Sequence, residues 1–213
     1  MTSPQPARPP RSHHATPNSG REVHQPQGAL HPMSRKRIHQ RSDTTEADVV
    51  DALTRDVPEI AFDIIQIVRV AIDGRQCKVA VTTEQPGVCA TSACIGPRGQ
   101  RIRTIAHELG MDNIGIVAYS AHIETYLTNA IIARGAHPLS VHITDLPRRR
   151  ARMVFDAEDC GFGPTQFARA IGTRGSNVRL ASALTGWRID LCTPRCSDSH
   201  CVHPGAAPSR VAS

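Results

Sequence analysis

A four-residue loop that occurs twice constrains this chain more than any other feature. Gly96-Pro97-Arg98-Gly99 and Gly172-Thr173-Arg174-Gly175 lie at an offset of 76 residues, from Gly96 to Gly172. At this offset six positions of 95–110 and 171–186 are identical, namely Ile95/Ile171, Gly96/Gly172, Arg98/Arg174, Gly99/Gly175, Arg103/Arg179 and Gly110/Gly186. Identities grouped around one loop indicate an internal duplication. We therefore expect two copies of one structural unit.

Hydrophobic periodicity predicts the element order αββααβ in both copies. The first helix should end before Val57-Pro58, because the residue before a proline disfavours helical backbone angles. Asp73-Gly74 suits a tight turn between two strands, and Gly110 suits a helix C-terminus. For the first copy we predict a helix from 43 or 44, strands at 60–72 and 77–83, a small-residue stretch at 90–95, a helix after the loop and a strand at 114–119. For the second we predict a helix at 123–134, strands at 139–145 and 151–156, a helix at 167–171, a helix up to 186 and a strand at 187–191.

Composition divides the chain into two tails and a folded middle. The formal net charge of +6 is carried by the segment before residue 43, where seven Arg or Lys accompany one Glu, so the remainder is neutral. That segment is rich in Pro, His, Ser and Gln and has little to bury. We predict a disordered basic arm at 1–43, a first domain at 44–120, a second domain at 121–191 and a flexible tail containing Cys and His at 192–213.

The repeated loop has the residue types that a polynucleotide backbone requires. Glycines at both ends remove the Cβ atoms that would keep phosphates away, and the amides at the start of the next helix favour an anion. Arg98 and Arg174 add a positive charge to each loop. In KH domains a GxxG loop of this kind holds about four nucleotides of single-stranded backbone. A lone GxxG is commonly only a connection between helices, whereas two copies in the same context favour binding.

Composition and motifs exclude several other classes of function. Phe, Tyr and Trp number 4, 2 and 1, which argues against RNA-binding folds that stack bases on rows of aromatic side chains. The sequence has no Walker motif and no paired nucleophile and acid near its histidines, so we predict no enzyme activity and no cofactor. No apolar run resembles an export signal or a membrane span, and we expect a cytoplasmic protein without a membrane partner.

The seven cysteines do not predict a disulfide framework. Cys77, Cys89, Cys94 and Cys160 are expected in the core or near a loop. Five potential zinc ligands lie close together near the C-terminus, at Cys192, Cys196, His200, Cys201 and His203. They contain no CxxC pair and no distant second pair, so we assign no metal site there and keep them as candidates that elemental analysis would decide.

Several motifs together resemble the tandem KH region of the NusA family of bacterial transcription elongation and termination factors. The resemblance covers roughly two-thirds of the chain, from Val57 to Leu191. The motifs are VPEI (57–60), KVAV (78–81), ACIGPRGQRI (93–102), IVAYS (116–120), NAI (129–131) and ARAIGTRGSNVRLASALTGWRIDL (168–191). NusA proteins carry a polymerase-binding domain and an S1 barrel before the KH pair, where this sequence has the basic arm. We therefore expect a stand-alone relative.

The resemblance implies an α+β fold of two tandem type II KH domains, each αββααβ, with disordered N- and C-terminal tails. It also implies binding of the nascent transcript as single-stranded RNA, and regulation of pausing, termination or antitermination. We expect a monomer. RNA polymerase or its factors would be further partners. The RNA-binding residues carried over are Gly96, Pro97, Arg98, Gly99, Gly172, Thr173, Arg174 and Gly175 in the loops, with Arg101, Asn177 and Arg179 on the RNA-facing side after them.

Two other classes of function stay open at this point. One is a protein–protein adaptor on the transcription machinery that has lost RNA binding. The other is a DNA-binding regulator of a mobile element that uses the basic arm. Binding to single-stranded RNA, single-stranded DNA and duplex DNA distinguishes these alternatives.

Overall fold

The computed structural model describes residues 44–132, 135–157 and 164–196. All of them belong to one compact unit, Ser42–Ser213. The predicted arm at 1–43 lies outside the described residues, as do residues 197–213 of the predicted tail at 192–213. Cys192, predicted to begin that tail, is instead the buried last residue of a strand.

The described residues form seven helices and six strands in an order that repeats. The first domain contains α1 (Glu46–Asp56), α2 (Pro58–Ala61), β1 (Gln66–Asp73), β2 (Gln76–Thr82), α3 (Ala90–Ile95), α4 (Gln100–Glu108) and β3 (Asn113–Ala118). The second contains α5 (Ile123–Ile132), β4 (Ser140–Asp145), β5 (Arg150–Val154), α6 (Gln166–Ile171), α7 (Ser176–Thr185) and β6 (Arg188–Cys192). Short 3₁₀ turns at Pro97–Gly99 and Thr173–Gly175 occupy the two repeated loops.

The first helix begins at Glu46, later than the predicted 43 or 44, and ends before Val57-Pro58 as predicted. Thr45 caps α1 in a reciprocal capping box with Asp48. Val49 and Leu53, one turn apart, are fully buried. The helix gives way at Val57, directly before Pro58. A proline at the first position of α2 is compatible with a helix, because the N–H that proline lacks would have no acceptor within the helix at that position.

The first predicted strand is wrong at its N-terminal end. The apolar run from residue 60 forms part of α2 and a turn, and β1 begins only at Gln66. Ile60 is buried, whereas Phe62 is 76% exposed, so the run does not follow the alternation of a strand. Pro58 favours the short helix, and Asp63 at φ 57° then turns the chain.

Each domain builds one three-stranded sheet with the same topology. β1 pairs antiparallel with β2, and Asp73 faces Gln76 at the predicted tight turn. β2 pairs parallel with β3. The second domain repeats this order, with β4 antiparallel to β5 and β5 parallel to β6. Helices α3 and α4, and α6 and α7, connect the parallel strands, as parallel pairing requires.

The first sheet is covered by helices on both faces. Cys77, Val79 and Val81 of β2 pack with α1 and α4 in one core. Ala80, on the other face of β2, belongs to a second core with residues of α5 and α7. Five consecutive residues of β2 are buried as a result, and burial on both faces explains the nearly continuous apolar sequence of this strand.

A buried lysine takes part in the contact between the domains. Lys78 on β2 is only 3% exposed, and its Nζ donates to the carbonyl of Ala130 on α5. Across the same region the Tyr126 hydroxyl donates to the carbonyl of Leu184 over 3.1 Å. Buried polar groups are tolerated when they are hydrogen-bonded. These bonds fix α5 against the first sheet and against α7.

No helix among residues 44–132, 135–157 and 164–196 has both the length and the apolar content needed to cross a membrane.

Candidate nucleic-acid interface

The two repeated loops have almost the same backbone. Gly96 and Gly172 lie at φ/ψ of 73°/174° and 74°/174°. Arg98 and Arg174 lie at 51°/23° and 51°/31°. In each loop the second glycine donates to the carbonyl of the first, over 3.0 Å for Gly99 and 3.1 Å for Gly175. The duplication seen in the sequence therefore extends to the backbone geometry of the loops.

The first glycine of each loop has no room for a side chain. A Cβ on Gly96 would come within 2.6 Å of the Cβ of Arg101. A Cβ on Gly172 would come within 2.7 Å of the Cβ of Asn177 and 2.9 Å of its backbone nitrogen. Both glycines also have a positive φ, which side-chain-bearing residues rarely adopt. Only glycine fits at these two positions, because the following helix lies directly against the loop.

The middle of each loop faces solvent. Pro97, Arg98, Thr173 and Arg174 are exposed. Gly99 and Gly175 are the residues before α4 and α7, and a glycine has no side chain with which to cap them. The first amide of each helix already donates within the loop, from Gln100 to the carbonyl of Pro97 and from Ser176 to that of Thr173, and Gly175 is buried. Each helix start therefore offers an anion the positive end of its dipole rather than an unpaired first amide. An arginine and a helix start lie together at both loops.

Two of the predicted RNA-facing residues are directed into the protein instead. Asn177 is fully buried, and its amide donates to the carbonyl of Ala170 over 3.0 Å. Arg101 occupies the equivalent position in the first domain and donates to the carbonyl of Ala93. Both side chains satisfy carbonyls near the C-terminal ends of α3 and α6, which lack helical donors. Both side chains therefore have partners within the protein, in place of the RNA-facing position predicted for them.

Arg179 is exposed but already has partners. Its Nη2 and Nε donate to Oδ2 of Asp73 over 2.7 and 3.1 Å, and its Nη1 donates to the carbonyl of Arg174. The side chain therefore joins the second loop to the β1–β2 turn of the first domain. Arg103, its equivalent, is also exposed, and its Nη1 would lie 2.9 Å from a Cβ on Gly99.

Three cysteines of the first domain differ in ionisation. Burial raises the pKa of Cys77 to about 12 and that of Cys94 to about 11. Hydrogen bonds from Ser92 and Thr91 lower the pKa of the exposed Cys89 to about 7. The expected core position is confirmed for Cys77 and Cys94, whereas Cys89 lies on the surface before α3. Cys160 lies outside the described residues.

The predicted zinc candidates lie only partly within the described region. Cys192 is buried at the end of β6, and Cys196 interacts with Thr193 at 3.5 and 3.6 Å. His200, Cys201 and His203 lie outside it. Among the residues that the structure does describe, no group of three His, Cys, Asp or Glu side chains could hold a metal ion.

Sequence patterns did not indicate that first-domain residues would lie beside the second loop. Asp73 was recognised only as a turn residue. Gln76, Asp112 and Asn113, at the ends of β2 and β3, line a cleft together with Gly172 and Thr173. Periodicity locates these residues on their strands, but it does not say which element of the other domain they contact.

Fold and loops together define a class of protein, the tandem type II KH proteins of the α+β class. Residues 44–119 match the model of the NusA-like first KH domain, and residues 162–197 match that of the NusA-like second KH domain. The chain therefore contains both members of a NusA-like KH pair, first and second in that order.

Comparison with curated proteins gives the same relationship. The chain is 40% identical over 137 residues to the transcription termination/antitermination protein NusA of Mycobacterium tuberculosis, a match covering 64% of this chain and 37% of that protein. For NusA of Thermus thermophilus the identity is 38% over 148 residues, 68% of this chain and 35% of the relative. For Rickettsia prowazekii it is 36% over 139 residues, 65% and 26%. The matched region thus spans between 26% and 37% of these relatives.

Proposed function

We propose that this chain binds single-stranded RNA through its two loops and acts as a NusA-like regulator of transcription elongation, termination or antitermination. The observation that carries the proposal is the pair of loops with matching backbone angles and an exposed arginine in each. Each loop is followed by a helix whose first turn favours an anion. One such loop could be a connection, whereas two with nearly the same backbone angles favour a shared ligand.

The mode of binding follows from the groups that the loops present. Phosphates would approach the positive ends of the α4 and α7 dipoles at the loops, and Arg98 and Arg174 would pair with neighbouring phosphates. Such contacts give affinity with little dependence on sequence and a marked dependence on salt. Arg101 and Asn177 would contribute indirectly, by keeping each loop in place.

The role in transcription is proposed from the NusA-like domains. The named relatives are termination/antitermination proteins, and the chain matches their KH region. A tandem RNA-binding pair suits a factor that contacts the emerging transcript. Contact with RNA polymerase belongs to the same proposal and is tested by co-purification.

Replacing the exposed residues of both loops by aspartate tests the proposal directly. A variant with Pro97→Asp, Arg98→Asp, Thr173→Asp and Arg174→Asp places negative charge where phosphates are proposed to bind. We expect affinity for an unstructured single-stranded RNA to fall at least about 100-fold, since several charge-assisted contacts are lost at once. The thermal unfolding midpoint should change little, because all four side chains are exposed.

The β4–β5 turn offers a matched control. Pro147-Arg148 repeats the dipeptide of the first loop, and both residues are exposed. Pro147→Asp with Arg148→Asp makes the same charge change as the substitution of Pro97 and Arg98, and we expect a much smaller loss of affinity. Unchanged RNA affinity in the four-residue loop variant would refute the proposal. Co-purification of polymerase without binding to any RNA pool would instead favour the protein–protein adaptor.

A further inference from the structure

An open cleft of about 670 Å³ lies where the second loop meets the first domain. The second domain lines it with Pro164, Ala168, Arg169, Gly172 and Thr173, and the first domain lines it with Gln76, Asp112 and Asn113. Its volume is in the range of small-molecule sites. The cleft combines the start of a proposed phosphate-binding loop with amide and carboxylate side chains from the other domain.

The first-domain wall of the cleft is held in place by the sheet. Gln76 and Asn113 are paired in the parallel register of β2 and β3, so they lie side by side. Asp112 is tied to the β1–β2 turn, because its backbone N–H donates to the carbonyl of Arg75 over 2.7 Å. Its Oδ1 also forms an ion pair with Nη2 of Arg75 at 3.0 Å. Polar side chains on fixed strand ends are suited to specific recognition.

The cleft lies at the end of the first domain that is remote from its own loop. The nine residues of α4, roughly 14 Å of helix, separate the first loop from the segment that leads to Asp112. The second loop therefore adjoins the far end of the first domain. A strand held at the second loop would pass beside first-domain side chains as well as those of its own domain.

We propose that this cleft recognises one base of the bound RNA, through Asn113 with Asp112 beside it. The inference rests on the proposed function, since it needs a strand whose backbone is held at Gly172 and Thr173. An asparagine amide offers one acceptor and two donor hydrogens, whereas a carboxylate only accepts. Together they favour a base edge with an exocyclic amino group next to a ring acceptor, as in adenine and cytosine, over the carbonyl-rich edge of uracil.

Selection from a random RNA pool tests this assignment by comparing three variants with the wild-type protein. We expect Asn113→Ala to lose about 3- to 10-fold of base discrimination at one position, the effect of one hydrogen bond, while binding to poly(U) stays the same. Asp112→Asn keeps the shape of the side chain and adds a donor, so discrimination against uracil at that position should fall. Gln66→Ala is the control. It removes an exposed amide at the end of the β1–β2 hairpin opposite Gln76, and we expect the base preference to stay the same.

The outcomes separate this inference from the function on which it rests. If wild-type protein binds no RNA, the proposed function and this inference both fail before any variant is compared. If wild-type protein binds RNA and Asn113→Ala leaves the base preference intact, the cleft is not a recognition site. An equal loss of affinity for all sequences would make Asn113 a backbone contact and would also overturn the assignment.

Discussion

Arg179, on the helix that follows the second loop, forms an ion pair with Asp73 in the turn of the first domain, with Nη2 and Oδ2 2.7 Å apart. The same guanidinium donates to the carbonyl of Arg174, a residue of the second loop. One side chain therefore contacts both the proposed RNA-binding loop and the neighbouring domain. We infer that Arg179 positions the second loop relative to the first domain.

Separating this pair should affect RNA binding more than stability. Both side chains are partly exposed, and ion pairs of this kind contribute about 0–1 kcal/mol to folding. We expect Asp73→Ala and Arg179→Ala each to weaken RNA binding, with less than additive effects in the double variant. A double-mutant cycle on the RNA dissociation constant measures this coupling. Additive losses would contradict the positioning role, and Asp145→Ala with Arg148→Ala, a pair elsewhere, is the control.

Alanine at the first glycine of either loop should destabilise the protein through a direct clash. For Gly172→Ala the new Cβ meets the backbone of Asn177 at 2.9 Å. Gly74→Ala is the matched control, because Gly74 also has a positive φ but a Cβ there would have nothing within 4 Å. The control should lose about 1–2 kcal/mol from backbone strain alone. Urea unfolding should show a clearly larger loss for Gly172→Ala, and equal losses would disprove the clash.

The salt dependence of RNA affinity should show how many phosphate contacts the loop arginines make. Removing one phosphate contact lowers the slope of log affinity against log salt by about 0.7 for a single strand. We expect this change for Arg98→Gln and for Arg174→Gln separately. Arg55→Gln is the control, because Arg55 is exposed yet paired with Asp56 and Glu108. An equal reduction of the slope in all three variants would mean that Arg98 and Arg174 contact phosphates no more than any other exposed arginine does.

Truncation of Lys78 should destabilise the whole described fold. Lys78→Ala leaves the carbonyl of Ala130 without this donor and removes a buried stem, for an expected loss of about 1–3 kcal/mol or more. Lys78→Met retains most of the buried stem and should lose less. Urea unfolding followed by Trp187 fluorescence reports on the second domain, where this tryptophan is buried. If the substitution left the unfolding transition seen by Trp187 unchanged, the second domain would not depend on Lys78, and the proposed role of this interface would be contradicted.

Alkylation should distinguish Cys89 from the buried cysteines. Its pKa of about 7 means that the thiolate fraction rises through neutral pH, so the rate with iodoacetamide should increase around pH 7 and level off above pH 8. Cys77 and Cys94 should stay unreactive over this range, because burial raises the pKa of both thiols. Ser92→Ala removes the main hydrogen bond and should move the midpoint upward. Peptide mapping gives the rate at each residue, and an unchanged midpoint would contradict this origin.

Local signals predicted most of the fold. The end of α1 before Val57-Pro58 and the turn after Asp73 depend on residues close in sequence, and both were located correctly, whereas α1 begins at Glu46 and not at the predicted 43 or 44. The duplication identified both loops, and the first glycine of each is required because the following helix lies against it. The N-terminal end of β1 was misassigned, since an apolar run does not distinguish a strand from a short helix followed by a turn.

The details of the site depend on contacts between distant residues. Asn177 is a polar residue after a basic loop, and its sequence context cannot show that it satisfies carbonyls inside the protein. The pairing of Arg179 with Asp73 joins residues 106 positions apart. Such contacts follow from how α7 packs on the first sheet, which periodicity does not specify.

The burial of β2 on both faces has a consequence for any attempt to divide the chain. A fragment ending after β3 would present Ala71, Ala80 and Val117 to water, together with Lys78 deprived of its acceptor on α5. Such a fragment would be prone to self-association, because a newly uncovered apolar sheet face is a surface for other copies to cover. The chain should therefore not be divided between the two domains for expression, and both domains should be produced as one recombinant protein.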